Sequence, residues 1–181
     1  MKFVNPIVQT RHESPLGSII IAATDKGLAG LWFDGQRHLP QELLAPTFVA
    51  SRRTTTWPSD PNHPVLQQVI RQLGEYFAGQ RTQFDVPLDL AYGTAFQQSV
   101  WQVLLKIPQG GTASYSEISA RIGKPAAVRA VGAAVGRNPV SIIVPCHRVM
   151  GADGALTGYA GGLERKSALL KLEGVALEGA R

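Results

Sequence analysis

Cysteine is nearly absent from this chain of 181 residues, and so are long hydrophobic runs. The one cysteine, Cys146, excludes an internal disulfide and any zinc site built from several cysteines. No apolar run approaches the roughly 20 residues that span a membrane, and the first residues, Met1 to Pro6, carry no hydrophobic signal core. We therefore expect a cytoplasmic protein with no membrane partner and no bound metal.

Positive charge is concentrated in one half of the sequence. The 18 Lys and Arg residues divide into 8 in residues 1–91 and 10 in residues 92–181, and the 13 Asp and Glu residues divide into 8 and 5. The first half is therefore neutral, and the second half carries the whole net charge of +5. A basic half beside a neutral half suits a polyanion such as nucleic acid, although solvated surface charge explains the same numbers.

Turn signals divide the first third of the chain into short segments rich in β-branched residues. These segments predict a meander of three antiparallel strands, over residues 7–13, 18–24 and 28–33. A polar loop is predicted over residues 51–63. Apolar residues from Val65 to Phe77 then follow helical spacing, with Gly79 as a stop signal. Residues 84–92 show no helical period and are interpreted as a strand or a linker.

Two capping boxes open helices in the second half. Thr94-Ala95-Phe96-Gln97 starts a helix predicted to reach about Lys106, and Ser114-Tyr115-Ser116-Glu117 starts a shorter one that reaches Ile122. After a turn at Gly123-Lys124-Pro125, we expect Pro125 at the first position of a helix from Ala126 to about Arg137. The two short helices predict a helix-turn-helix, a layout that also occurs in proteins that do not bind DNA.

The last of these helices is made mainly of small residues. Its long polar side chains are chiefly Arg129 and, at its end, Arg137. Reading base edges in the major groove requires several long polar side chains, so this helix predicts DNA binding with little sequence preference. Tight packing of the small residues against the core is the alternative, and both hold if they concern different faces.

The cysteine lies in the run Pro145-Cys146-His147-Arg148-Val149, directly after buried-type β-branched residues. A thiol attacks as the thiolate, and the pKa of free cysteine is near ~8.5. The neighbouring His147 and Arg148 are expected to favour the thiolate form. The alternative is that Cys146 is a small buried hydrophobic residue, which is the usual state of a lone cysteine.

Five sequence blocks in register resemble the O6-alkylguanine-DNA alkyltransferases. The blocks are Arg129-Ala130-Val131-Gly132, Asn138-Pro139-Val140, Pro145 to Val149, Gly158-Tyr159-Ala160-Gly161-Gly162 and Leu169 to Gly174. The resemblance is dense from about Gly93 to Gly174 and looser before it. It implies an α+β protein with an N-terminal domain over residues 1–91, an antiparallel β-sheet with a helix that is ribonuclease H-like. Residues 92–181 would then form a helical, winged-helix-like DNA-binding and alkyl-transfer domain.

The resemblance also implies an activity. The chain would repair DNA by irreversible transfer of an alkyl group from O6-alkylguanine to Cys146, once per molecule, after the base flips out of the duplex; O4-alkylthymine is expected as a further substrate. His147 would be the base that takes the thiol proton through a water, and Glu173 would hold the imidazole. Asn138 would brace the turn before the active-site strand. Without the resemblance, the Glu173 carboxylate is interpreted as surface charge.

Further roles follow for residues at the DNA and around the base. Arg129 would fill the gap left by the flipped nucleotide, and Tyr115 would crowd the target phosphate and donate a hydrogen bond to guanine N3. The remaining implied DNA contacts are Ser116, Lys124, Gln97 and Ala152. The implied base pocket comprises Tyr115, Tyr159, Ala160, through its backbone amide aimed at guanine O6, and Val149.

The implied partner is double-stranded DNA carrying O6-alkylguanine. No cofactor and no obligate protein partner are expected, and cooperative assembly on DNA is left open. One alternative is a lesion-binding relative without transfer activity, but such proteins lack the acceptor cysteine. Another is an unrelated cysteine hydrolase or redox enzyme, which leaves the helix-turn-helix and Arg129 unexplained.

Overall fold

The N-terminal part is built on the predicted meander of three antiparallel strands. The computed structural model describes residue 3 and residues 5–44 and 57–177; the first part of the predicted loop at 51–63 lies outside them. The strands pair in the order β1-β2-β3, with the bounds Val8–Ser14, Gly17–Thr24 and Gly27–Phe33. Every residue of β3 and six of the eight in β2 are buried, because both faces of the sheet are covered.

Alternation along the strands divides the apolar side chains between two clusters. Ile19 and Phe33 face the main core, whereas Ala22 and Trp32 face a smaller cluster that contains Trp57. Side chains of successive strand residues point to opposite faces, which explains this division. Helix α1, Pro64–Phe77, covers the main-core face, and the helical spacing of the sequence predicted a helix at this place.

The free edge of β3 receives two later segments of the chain. Leu28 exchanges backbone hydrogen bonds with Pro87 and Asp89, so the segment 84–92 is extended but pairs at this bridge alone among the described residues. Further along β3, the Leu31 N–H donates to Pro139 O and the Leu31 carbonyl accepts from Ser141 N–H. This second bridge attaches the chain that leads to Cys146 to the N-terminal sheet.

Four helices dominate the C-terminal part: α2 Ala95–Leu104, α3 Tyr115–Arg121, α4 Val128–Gly136 and α5 Leu163–Leu172. Both predicted capping boxes are present, since Thr94 and Gln97 cap α2, and Ser114 and Glu117 cap α3. The two-residue strands β4, Ala113–Ser114, and β5, Val149–Met150, pair in parallel. The predicted α+β class is therefore confirmed.

The prediction for the start of α4 was wrong. The helix begins at Val128 rather than Ala126, and Pro125 is not its first residue. Instead the Ala127 N–H donates to Lys124 O at 2.9 Å, which closes a turn with Pro125 as its second residue. Proline suits that position of a β-turn as well as it suits the first turn of a helix, because both need a φ near −65°.

One apolar core joins the two parts of the chain. It includes Leu66 and Leu73 of α1 together with Val100 and Leu104 of α2. Trp101 of α2 is fully buried, and its indole N–H donates to Ala134 O of α4 at 2.9 Å, which fixes these two helices against each other. In the described part of the chain, no helix has both the length and the apolar character that crossing a membrane requires.

Candidate active site and nucleic-acid interface

Cys146 begins a single 3₁₀ turn, Cys146–Arg148, within a segment in which every residue from Asn138 to Met150 is buried. The backbone before it is strained, because Ile142, a β-branched residue, has a φ of 70° in the left-handed region. Asn138 holds this segment: its side chain donates to Val144 O at 2.7 Å and accepts from Val140 N–H at 3.0 Å. Asn138 therefore ties together the residues between α4 and Cys146, which form turns and not the strand that the sequence analysis expected there.

Cys146 faces a cavity of about 120 Å³. Of the four predicted pocket residues, Tyr115, Tyr159 and Ala160 line this cavity, whereas Val149 is fully buried outside it. Arg37 and His38 also line it, and the sequence analysis missed both because they come from the loop after β3, more than a hundred residues before the cysteine. The rest of the lining is the backbone-rich surface of Gly132, Val135, Gly136 and Gly158.

Behind the cysteine, His147 and Glu173 form a buried pair. The distance from His147 Nε2 to Glu173 Oε1 is 2.8 Å, and both side chains have no exposed surface. Burial lowers the pKa of His147 despite the neighbouring carboxylate, so the imidazole is neutral at pH 7. With Glu173 ionised, the hydrogen-bond network assigns the imidazole proton to Nε2. Nδ1, which is buried and has no partner among the described residues, then keeps a free lone pair.

Glu173 is also held by two residues that the sequence analysis did not assign to it. Arg148 donates from Nε and Nη2 to the two carboxylate oxygens, each at 2.8 Å, and the Tyr76 hydroxyl donates to Oε1 at 2.7 Å. Burial acts to raise the pKa of Glu173, but the hydrogen bonds from Arg148, His147 and Tyr76 outweigh it and hold the pKa at about 2. Arg148 was expected to act on the thiol of Cys146, and instead it neutralises this carboxylate.

The low pKa of Glu173 makes stability depend on pH. The folded carboxylate has a pKa of about 2 against 4.5 for free glutamate, so its stabilisation is complete above pH 4.5 and is lost as the pH falls towards 2. This corresponds to about 3 kcal/mol. Urea unfolding between pH 6 and pH 2.5 should show that loss in the unaltered protein and a smaller loss in Glu173→Gln. Equal losses in the two proteins would contradict the assignment.

Lys166 is a second buried charge close to the cysteine. It lies in α5 with no exposed surface, and its Nζ donates to Val149 O at 2.5 Å, Thr157 O at 2.6 Å and Gly158 O at 3.3 Å. Burial lowers the pKa of Lys166 to about 8. The sequence contained a signal for the burial of Lys166. It lies three and four residues before Leu169 and Leu170, a spacing that places the lysine on the apolar face of the helix.

The thiol itself is protonated at rest. Burial raises the pKa of Cys146 above its ordinary value, while a hydrogen bond from Asn138 and the charge of Lys166 act in the opposite direction without reversing the shift. The sequence analysis expected His147 and Arg148 to favour the thiolate, but His147 is neutral and Arg148 is paired with Glu173. A base is needed to take the proton when the thiol reacts.

The predicted DNA contacts lie on one helix-turn-helix and beside it. Ser116 is exposed in the first turn of α3, Lys124 is exposed in the turn that follows, and Arg129 is exposed as the second residue of α4. Arg129 forms no salt bridge within the described residues. Ala152 is exposed in the turn after β5, whereas the Gln97 side chain is committed to its capping box.

Tyr115 connects this surface to the cavity. It is the first residue of α3 and is half-buried, and its ring lies beside Gly132 of α4, where an added Cβ would be 3.8 Å from the ring. The small residues of α4 therefore divide between a packed face and an exposed face. Val131, Ala134 and Val135 pack inward, while Ala130 and Ala133 remain on the exposed face with Arg129.

The fold and the site define a helix-turn-helix protein with a buried cysteine backed by a His–Glu pair. Residues 95–175 match the DNA-binding domain of 6-O-methylguanine DNA methyltransferase, and residues 7–90 match the ribonuclease-like domain of the same proteins. The chain is 50% identical over 161 residues to the methylated-DNA–protein-cysteine methyltransferase of Mycobacterium bovis, covering 89% of this chain and 88% of that protein. The chain belongs to the methylated-DNA–protein-cysteine methyltransferases, which confirms the resemblance seen in the sequence.

Two further relatives agree with this assignment. The methylated-DNA–protein-cysteine methyltransferase of Methanosarcina barkeri is 46% identical over 163 residues, which cover 89% of this chain and 93% of that protein. The crystal structure of Mycobacterium tuberculosis OGT in complex with DNA superimposes with a TM-score of 0.76 at 48% identity, covering 90% of each chain. In the described residues, no group of three or more His, Cys, Asp or Glu side chains is arranged to hold a metal ion.

Proposed function

We propose that this protein repairs double-stranded DNA by taking the alkyl group of O6-alkylguanine onto Cys146, with residues 92–181 carrying both DNA binding and transfer. The observation that carries the proposal is the lone cysteine at the wall of a small cavity, with the neutral His147 and the ionised Glu173 behind it. A soft sulfur nucleophile suits an sp³ alkyl carbon. The resulting thioether is a poor leaving group, so each molecule acts once and needs no cofactor.

His147 and Glu173 together form a proton relay, which supplies the base that the protonated thiol requires. Glu173 holds the proton of His147 on Nε2, so the lone pair of Nδ1 takes the thiol proton through a bridging water. The Cys146 sulfur then forms a bond to the alkyl carbon while the bond from that carbon to guanine O6 breaks. The nearby charge of Lys166 favours the thiolate at this stage.

Guanine leaves with negative charge that must be stabilised. Ala160 lines the cavity, and its backbone N–H, which is bonded to no other described residue, donates to O6. The Tyr115 hydroxyl, from another lining residue, donates a hydrogen bond to N3, over which the negative charge of the departing base is also spread. Tyr159 and Tyr115 form the walls between which the base lies. The same pocket accepts O4-alkylthymine, which presents a comparable alkylated oxygen.

The position of the thiol requires the base to leave the duplex. Cys146 is only 5% exposed and lies behind the helix-turn-helix surface, so it cannot reach a base that stays stacked. The phosphate backbone of the DNA is contacted by Tyr115 and Ser116 at the start of α3, by Lys124 and by Ala152. Gln97 contributes a further contact from the capping box of α2. Arg129 enters the duplex where the base has left. The partner is thus the damaged duplex, and no obligate protein partner is required.

Stoichiometric labelling tests the proposal. The protein is incubated with excess duplex carrying O6-[³H-methyl]guanine and then analysed by intact mass and peptide mapping. We expect one added methyl group per molecule, on Cys146, with no second turnover. Repair of several lesions per molecule would rule out the suicide reaction. Tight lesion binding without label would favour a non-transferring lesion binder, and hydrolysis of an ester substrate in place of labelling would favour a cysteine hydrolase.

Arg129→Ala is expected to slow transfer from duplex DNA far more than transfer from a free O6-alkylguanine base. Unstacking a base costs a few kcal/mol, and without the inserted guanidinium that cost is uncompensated, so we expect about a tenfold to hundredfold loss on duplex. Single-turnover rates on the two substrates measure the difference. Arg121→Ala removes another exposed positive charge, at the end of α3, and is the matched control. Equal losses on duplex and free base would assign Arg129 a structural role.

A further inference from the structure

The carboxylate behind the catalytic histidine is reached by a side chain from the other half of the chain. Tyr76 lies in α1, is 2% exposed, and donates its hydroxyl to Glu173 Oε1 at 2.7 Å. The same oxygen faces His147 Nε2 at 2.8 Å. A residue 97 positions earlier in the sequence therefore shares one oxygen atom with the imidazole that serves as the base.

Packing of the ring does not account for this hydroxyl. The Tyr76 ring packs against Phe77 and Phe84, with centroids 5.3 Å apart in both pairs, and a phenylalanine at this position would keep these contacts. A buried hydroxyl is costly unless it is hydrogen-bonded, and here its one side-chain partner in the described residues is the relay carboxylate. The hydroxyl therefore contributes chiefly through Glu173.

We propose that Tyr76 is a positioning residue of the proton relay, through which the N-terminal half fixes the Glu173 carboxylate and, with it, the direction of His147 Nδ1. The inference rests on the proposed function for its biological meaning. Arg148 donates two hydrogen bonds to the Glu173 carboxylate, and Tyr76 donates a third from α1. Together these bonds prevent the carboxylate from rotating about the bond that joins it to the side chain. An imidazole bonded to a fixed carboxylate keeps its ring orientation, as in other carboxylate–histidine pairs.

The hydroxyl also moderates the charge on Oε1. Burial and the adjacent Glu173 raise the pKa of Tyr76 far above its ordinary value, so it remains a donor at every working pH. The charged and titratable groups around His147 are Glu173 at the end of α5, Arg148 of its own turn, Lys166 of α5 and Tyr76 of α1. Removal of one donor from Oε1 leaves more negative charge facing the imidazole, which stabilises its protonated form.

The test is Tyr76→Phe in the full chain, read by two reactions of the same thiol. One is single-turnover methyl transfer from an O6-methylguanine duplex, and the other is alkylation of Cys146 by iodoacetamide, each from pH 5.5 to pH 9. We expect both rates to fall about tenfold at pH 7. We also expect the acid limb of both profiles to move to higher pH, while the Kd for undamaged duplex stays unchanged.

Tyr92→Phe is the matched control, because Tyr92 is half-buried and its hydroxyl donates to the Ala29 carbonyl, away from the relay. It should leave both profiles in place. In the Glu173→Gln background, Tyr76→Phe should add little further loss, since the two residues act as one unit. A Tyr76→Phe protein that matches Tyr92→Phe, or an additive loss in the double variant, would overturn the inference.

The two reactions separate this inference from the proposed function. If the unaltered protein reacts with iodoacetamide but takes no methyl group from DNA, the proposed function fails, and the iodoacetamide profile still decides the role of Tyr76. If methyl transfer occurs normally in the unaltered protein and Tyr76→Phe changes neither profile, only the positioning role is refuted.

Discussion

The Cys146→Ala protein is expected to take up no methyl group from an O6-methylguanine duplex and still to bind that duplex. Cys146 is the single thiol of the chain, and the cavity that it faces offers no other soft nucleophile among its lining residues. Arg129 and Lys124, which we assign to DNA, lie on the exposed helix-turn-helix and not at the thiol. Transfer and binding should therefore separate completely in this variant.

Two measurements check this expectation. Intact mass after incubation with excess methylated duplex should show a shift of one methyl group in the unaltered protein and none in Cys146→Ala. Fluorescence anisotropy should give Kd values for the two proteins within a factor of about three, and thermal unfolding should confirm that the variant is folded, since losing one small buried group costs on the order of 1 kcal/mol. Label on any other residue of Cys146→Ala would contradict the assignment of the nucleophile.

Glu173→Gln should lower the rate of methyl transfer by about two to four orders of magnitude. The amide keeps the size of the carboxylate but not its charge, so the imidazolium that forms as the thiol loses its proton is no longer stabilised. Arg148 is then left buried without its counter-charge, which should cost about 3–5 kcal/mol of the free energy of unfolding. The effect on rate should persist at temperatures where circular dichroism shows the variant fully folded.

A control for this second variant exists in the same helix. Glu164 lies in the first turn of α5 and is exposed, so Glu164→Gln removes one negative charge without touching the relay. It should transfer methyl groups at the unaltered rate and unfold at nearly the unaltered urea concentration. If both variants lost rate to the same degree, a general electrostatic effect on DNA binding would explain the result, and the relay assignment would fall.

Local signals allowed much of the fold to be predicted. The two capping boxes at Thr94 and Ser114, and the β-branched run that forms β2, depend on residues close in sequence, and the structure agrees with them. The predicted start of α4 was wrong because Pro125 fits a turn and a helix equally well. Local chemistry does not distinguish these two uses; the hydrogen bond from Ala127 to Lys124 does.

The candidate site shows the same difference between residues that local sequence marks and residues that only long-range contacts bring in. The run from Pro145 to Val149 indicated the candidate nucleophile, because a Cys-His pair is chemically distinctive without any structure. Arg37 and Tyr76 were missed because their contacts cross the whole chain, and nothing next to them in sequence marks them as part of a site. Lys166 could have been predicted as a buried residue, since a lysine on an apolar helix face must find buried hydrogen-bond acceptors.

The bridge between Leu31 and Val140 limits which fragments and chimaeras of such a protein can fold. The segment around Val140, which leads to Cys146, pairs with the free edge of β3 at this one bridge, so the two family-matched segments are separate in sequence but joined through their backbones. A fragment that starts at residue 92 would lose these hydrogen bonds and expose the apolar side chains that pack against the N-terminal sheet. Exchange of N-terminal segments between relatives should therefore succeed only where the β3 edge and the segment around Val140 come from sequences that pair with each other.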